Sequence, residues 1–174
     1  MNRKSFLNKV VAGSAAAFTL PLLLNGQTAP PQNKPNRPDP IPAEKVKEFV
    51  GAAHGKFDVV KQLLAEFPNL LYCSWDWGGG DFETGLEAAG HVGHKEIAEH
   101  LLGLGARPNI FVLTMLGKTA LVKPILEAYP QLLNSKGPHG LTLLHHAQKG
   151  GEGAKELLDY LTAKGMKETK LPLF

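Results

Sequence analysis

The sequence predicts an all-α protein in which about four helix-turn-helix units follow one another. Short segments carry apolar residues at helical spacing, a glycine divides each pair of segments, and the arrangement recurs along the chain. The most complete unit is residues 84–109, TGLEAAGHVGHKEIAEHLLGLGARPN. Because one pair of short helices cannot bury its apolar face alone, we expect the units to stack on one another.

The unit at residues 84–109 contains two predicted helices. Its first half has small residues that allow a neighbouring helix to approach closely, and Gly93 ends it. Its second half has an apolar stripe at positions i, i+4 and i+7 opposite charged residues, and Gly105 supplies the stop. The stripe consists of Ile97, Leu101 and Leu104.

Three further copies flank this unit. They are residues 46–71, residues 113–133 and a segment that opens at Gly140. Pro124 in the third copy is compatible with a helix if it falls in the first turn. The apolar positions predicted for these copies are Val46, Phe49, Val50, Val59, Leu63, Leu64, Leu121, Ile125, Leu126, Leu157, Leu158 and Leu161.

Two helix openings, TGLEAA from Thr84 and GLTLLHHA from Gly140, resemble the T-P-L-H-x-A opening of ankyrin repeats. The resemblance covers residues 43–166 and implies an ankyrin-repeat solenoid with extended finger loops. It also implies that the two residues before each tight-turn glycine face the concave surface. These residues are Ala53 and His54, His91 and Val92, and Met115 and Leu116.

The N-terminal residues 1–29 have the layout of a secretory signal, with a basic start, an apolar run and a short polar end. The start resembles the twin-arginine signal with Lys4 at the second arginine, so ordinary Sec export stays open. A buried N-terminal helix of the fold is the alternative. The six prolines in residues 30–42 predict an extended linker, and residues 167–174 form a C-terminal tail. We therefore expect an exported, periplasmic or extracellular protein with no stable membrane span after cleavage.

The charge balance argues against a nucleic-acid partner. Three of the 19 basic residues lie in the predicted signal, and the other 16 balance the 16 acidic residues. Cys73 is the single cysteine, so no disulfide is expected. We predict a monomer.

Histidine pairs raise the question of a metal site. His91 and His94 are three residues apart, but the ankyrin resemblance gives His94 and His145 structural roles at turns. No nucleophile motif or phosphate-binding loop is present. We therefore expect no catalytic residues, no metal and no cofactor.

The loop at residues 74–83, here called the finger loop, is longer than the repeat pattern requires and carries both tryptophans of the chain. Tryptophan is enriched at binding hot spots, although packing against the stack would explain these residues equally well. We interpret the protein as a scaffold that binds a protein or peptide partner. The predicted partner-binding residues are Trp75, Asp76, Trp77, Asp81, Phe82, Glu83, His54, His91, Met115 and Leu116.

The alternative is a small-ligand or enzymatic pocket beside the finger loop. Its residues would be the two tryptophans with Asp76, Asp81, Glu83, Glu87 and His91. Buried, converging carboxylates would favour this pocket, whereas an open groove would favour the scaffold.

Overall fold

Each predicted unit contains a pair of α-helices. The computed structural model describes residues 37–174, so the predicted signal at residues 1–29 and most of the proline-rich linker lie outside the described residues. The helices are α1 (Ala43–Ala52), α2 (Phe57–Glu66), α3 (Gly85–Val92), α4 (Lys95–Gly103), α5 (Ile110–Met115), α6 (Thr119–Ala128), α7 (Leu143–Gly150) and α8 (Lys155–Ala163). The prediction of a mainly helical chain is confirmed.

The finger loop forms the only sheet in residues 37–174. Strands β1 (Ser74–Asp76) and β2 (Phe82–Thr84) pair antiparallel, with Trp75 opposite Glu83. The short 3-10 helices Pro68–Tyr72, Pro130–Asn134, Pro138–Gly140 and Gly151–Ala154 occupy connections between the helices. The sheet places Trp75 against the helical core and directs the loop tip toward the turn between α1 and α2.

The first helices of successive pairs, α1, α3, α5 and α7, pack against one another in chain order. Small residues permit this close approach, as expected from the sequence. A side-chain carbon added at Gly85 would lie 2.6 Å from the ring of Phe49 on α1. Gly150 on α7 comes equally close to the backbone of Met115 on α5. Met115 is therefore fully buried and cannot contact a partner, which removes it from the predicted binding surface.

The second helices bury most of their predicted stripes, but two predicted positions are wrong. Ile97 and Leu101 are buried, whereas Leu104 is 49% exposed because α4 ends at Gly103 and Leu104 lies beyond the helix. In α6 the buried residues are Val122 and Leu126, and Leu121 is exposed. The inner stripe of α6 thus lies one residue later than the spacing suggested.

Pro124 lies inside α6 rather than in its first turn, so that prediction is wrong. The helix begins at Thr119, five residues earlier, which places the proline in the second turn. Because proline lacks a backbone N–H, the carbonyl of Ala120 loses its usual helical donor. The third unit consequently contains a helix with one missing hydrogen bond.

Helix starts follow from local capping. The hydroxyl of Thr84 accepts from the backbone N–H of Glu87, and Glu87 in return accepts from the Thr84 backbone, which is a capping box. The side chains of Asn109 and Thr142 cap α5 and α7 by accepting backbone N–H groups of the first turn, without the return bond of a capping box. Within residues 37–174, no helix has the length and apolarity that crossing a bilayer requires.

The burial of His146 in α7 predicts that the free energy of unfolding depends on pH. It is buried, its Nδ1 lies 2.8 Å from the Thr142 carbonyl, and burial lowers the pKa of His146 from 6.5 to about 4. Between those pH values the unfolded chain binds more protons than the folded chain. The free energy of unfolding should therefore fall by up to about 3 kcal/mol as the pH drops through this window. Denaturant titrations of the wild type and His146→Gln should show a shallower pH dependence in the variant, and equal slopes would contradict this assignment.

Candidate metal centre

Three imidazoles and one carboxylate converge beside the finger loop. One ligand atom from each of His54, Glu83, His91 and His139 lies within 4.8 Å of every other. The Nε2 atoms of His54 and His91 are 2.9 Å apart, and Nε2 of His91 is also 2.9 Å from Oε1 of Glu83. Nε2 of His139 is 3.6 Å from the same oxygen.

Four separate elements supply these side chains. His54 lies in the turn between α1 and α2, and His91 lies in the last turn of α3. Glu83 is the central residue of β2, and His139 lies in the 3-10 turn Pro138–Gly140 before α7. The stacking of the first, second and fourth helix pairs, with the finger loop folded over them, brings these elements together.

The surroundings of His54 fix its tautomer. Its Nδ1 lies 3.1 Å from the carbonyl oxygen of Val50 and 3.2 Å from that of Gly51. Both oxygens only accept hydrogen bonds, so Nδ1 carries the proton. In the neutral ring the lone pair is then on Nε2, which is the atom that faces the cluster.

Asp81 orients His139 in a comparable way. Its Oδ1 accepts from the backbone N–H of His139 at 2.8 Å, and its Oδ2 lies 2.7 Å from Nδ1 of the ring. His139 has φ of 60°, in the left-handed region that non-glycine residues rarely adopt. Residues held in such conformations concentrate at functional sites, and here Asp81 supplies both bonds that hold the residue. The ring therefore presents Nε2 to the cluster.

Glu83 is fully buried, yet one of its oxygens lacks a donor. Trp77 donates its indole N–H to Oε2 at 2.8 Å, whereas Oε1 lies 2.9 Å from Nε2 of His91 without the alignment of a hydrogen bond and has no other partner within residues 37–174. Burying a carboxylate oxygen without a partner is costly. Oε1 lies among the ring nitrogens, where a bound cation would compensate that cost.

His145 positions the backbone of His91. The Nε2 of His145 donates to the carbonyl oxygen of His91 at 2.8 Å. Burial lowers the pKa of His145, which favours its neutral, singly protonated ring. The histidine of the fourth-unit opening thus braces the helix end that carries His91.

The cluster is buried on the side of Glu83 and open on the side of the histidines. The side chains of His54, His91 and His139 are 30%, 12% and 28% exposed. The ring of Trp77 stands between them, with its centroid 6.4 Å from that of His54 and 6.3 Å from that of His139. The histidine side chains are therefore partly accessible to solvent, whereas Glu83 is not.

The other residues predicted at the site have separate roles. Asp76 accepts the backbone N–H groups of Gly78 and Gly80 and so shapes the loop tip, and Glu87 caps α3 and accepts from Asn109. Trp75 packs partly buried on the core, with Lys47 over its ring. Phe82 is exposed and Leu116 is half-buried.

His139 was not identified from the sequence. The fourth predicted unit opens at Gly140, one residue after His139, and the Pro138-His139-Gly140 sequence is the only local signal for an unusual turn there. The alternative interpretation of the sequence places Asp81, Glu83 and His91 in one pocket and the resemblance places His54 on the concave surface, but neither predicts that these residues share a metal.

Comparison with models of known protein families finds no match, and comparison with curated proteins finds none either. Function therefore has to be inferred from the geometry of the cluster.

Proposed function

We propose that the protein binds one divalent transition-metal ion, such as Zn²⁺, through His54, His91, His139 and Glu83. The observation that carries the proposal is the buried Oε1 of Glu83, which lacks a donor and lies beside three imidazole nitrogens. Imidazole with carboxylate is a donor set that suits zinc and its neighbours in the first transition row. This proposal replaces the expectation of no metal and develops the pocket interpretation of the finger loop.

The distances between the ligand atoms support this assignment. Donors about 2.1 Å from an ion lie roughly 3.0 Å apart at right angles and roughly 3.4 Å apart in a tetrahedron. Nε2 of His91 is 2.9 Å from Nε2 of His54 and 2.9 Å from Oε1 of Glu83, and Nε2 of His139 is 3.6 Å from the same oxygen. All four ligand atoms lie within 4.8 Å of one another, so movements of up to about 1 Å would place them around one ion.

The outer contacts also match those of metal sites. Metal-binding histidines usually donate their second ring N–H to a carboxylate or a backbone carbonyl. His139 does so to Asp81 and His54 to backbone carbonyls, while Trp77 donates its indole N–H to Oε2 of Glu83 and so orients that carboxylate. These contacts orient the donors before an ion arrives, which favours affinity.

We also propose that the protein is an ankyrin-type solenoid and that it is exported. The ordered packing of α1, α3, α5 and α7 supports a repeat architecture. A protein-binding role has one specific supporting observation, which is that Phe82 is 59% exposed on the finger loop next to the cluster.

Metal binding can be tested on the full chain by titrating chelator-treated protein with Zn²⁺ in a calorimeter. We expect one ion per chain, and His91→Ala should weaken binding by at least about 100-fold because it removes one of four ligands. His94→Ala is the matched control, since His94 lies three residues away and outside the cluster. Binding that is unchanged in His91→Ala would refute the site, provided that both variants give the circular-dichroism spectrum of the wild type.

The contact between Asp81 and the His139 ring predicts a loss of metal affinity smaller than that caused by removing a ligand. Asp81→Asn should weaken Zn²⁺ binding by about 10–100-fold, because the neutral amide holds the His139 ring less firmly and reduces its basicity. Asp76→Asn changes a carboxylate of the same loop that binds only backbone amides, so its affinity should stay within about threefold of the wild type. Calorimetric titration measures both values, and equal losses would indicate a general effect of loop charge.

A further inference from the structure

We infer that the metal centre takes an external ligand, a small organic carboxylate, whose carboxylate group coordinates the ion while its apolar part lies in the cleft beside His139. This inference rests on the proposed metal site. It deepens that proposal by assigning the chemical class of ligand.

The arrangement of the donors leaves room for such a ligand. His91 is 2.9 Å from both the His54 nitrogen and the Glu83 oxygen, which is the spacing of donors at right angles around an ion. Right-angled donors occupy part of an octahedron and leave adjacent positions free, whereas a closed structural site surrounds its ion with four donors in a tetrahedron. The three histidine side chains are partly exposed and Glu83 is fully buried, so an external ligand would approach the ion from the side of the histidines.

An open cleft of about 670 Å³ adjoins this centre. Its walls are His139, the Asp81 that orients it, and residues 170–174. The tail is fixed to the loop that carries His139, because Leu171 donates its N–H to the Gly140 carbonyl at 2.8 Å and Lys136 bonds the Pro172 carbonyl at 2.7 Å. The cleft wall and the proposed metal ligand therefore belong to one connected surface.

The lining of the cleft indicates the class of ligand. Leucine, proline and phenylalanine side chains of the tail supply apolar surface, Lys170 adds a positive charge, and the carboxylate of Asp81 is bonded to His139. A metal ion and an ammonium group together favour an anion, and the apolar wall favours one with a hydrocarbon part. Carboxylate oxygens are suitable donors for an ion already held by imidazole and carboxylate.

The inference can be tested with full-length protein loaded with Co²⁺, whose visible absorption reports coordination. Acetate and phenylacetate are titrated separately, and azide serves as a small anion that needs no cleft. We expect all three to change the spectrum, with phenylacetate binding at least about tenfold more tightly than acetate because its ring is removed from water. Leu173→Ala removes apolar surface of the cleft without changing its charge, so it should reduce this preference below about threefold and leave azide binding unchanged. Leu121→Ala, an exposed leucine outside the cleft, should behave as the wild type.

The possible failures are distinguishable. If Co²⁺ gives no ligand-field spectrum, the metal site itself is wrong. If Co²⁺ binds but none of the three anions alters the spectrum, the site is closed and the inference is overturned while the metal site stands. If acetate and phenylacetate bind equally, or if Leu173→Ala keeps the preference, the cleft does not hold the ligand and the inference is likewise overturned.

Discussion

Zinc at a free concentration 1,000 times its dissociation constant is expected to raise the free energy of unfolding by about 4 kcal/mol. For a domain of this size the increase corresponds to roughly 10–20 °C in the thermal midpoint. The reason is that the four ligands come from four elements far apart in the chain, so the unfolded chain offers no comparable site. A thermal melt followed by circular dichroism, with and without zinc, measures the shift.

Chelation and a ligand variant are the controls for this result. EDTA should return the midpoint to that of the metal-free protein, and His91→Ala should show little shift at the same zinc concentration. The stabilisation should also shrink on acidification, because protons compete with the ion for the imidazole nitrogens. A wild-type midpoint that is independent of zinc would show that the cluster does not bind it.

The helical arrangement could be predicted because it depends on local patterns. Periodic apolar residues, dividing glycines and capping residues such as Thr84 all act within one or two turns of chain. The wrong predictions lie near helix ends, where the exact boundary decides which side of the helix a residue faces. Leu104 lies one residue beyond α4. Because α6 starts early, Leu121 is exposed to solvent and Pro124 lies in the second turn of the helix.

Only part of the cluster could be predicted, because its residues are far apart in the chain and come together only in the tertiary structure. His54 and His91 were placed on one surface through their equivalent positions before the tight turns, and Glu83 and Asp81 were recognised as carboxylates of the finger loop. No local pattern states that the loop folds back over that surface. His139 depends on a left-handed turn and on Asp81, 58 residues away, so it could not be recognised before the fold was known.

The two tryptophans of the finger loop have different roles, whereas the sequence left binding and packing open for both. Trp75 packs on the core and Trp77 donates to Glu83, so one is mainly structural and the other orients a proposed ligand. A double replacement of both would mix a loss of packing with a loss of metal affinity. Single variants are therefore required, and Trp77→Phe, which keeps an aromatic ring but removes the donor, isolates the contact with Glu83.

Leu101→Ala is expected to lower the free energy of unfolding by about 2–5 kcal/mol, the usual range for removing a buried leucine side chain. Leu101 is almost completely buried in α4, the second helix of an interior pair, and belongs to the core formed with α1, α2 and α3. The cavity left by the substitution cannot close easily, because helix pairs pack on both sides of this unit. The measurement is a denaturant titration in EDTA, so that metal binding does not contribute.

Glu99→Ala is the matched control, since Glu99 is an exposed residue of the same helix, and its effect should be within about 0.5 kcal/mol. Lys95 would be a poorer control because its Nζ bonds the Gly150 carbonyl on α7 at 2.8 Å and so connects two units. Leu101 is not among the residues of the cluster, so the variant should bind Zn²⁺ with nearly wild-type affinity at temperatures where it is folded. Equal unfolding free energies for Leu101→Ala and Glu99→Ala would contradict the packing described for α4. A large loss of zinc affinity in folded Leu101→Ala would instead show that the core, in addition to the surrounding hydrogen bonds, holds the ligands in place.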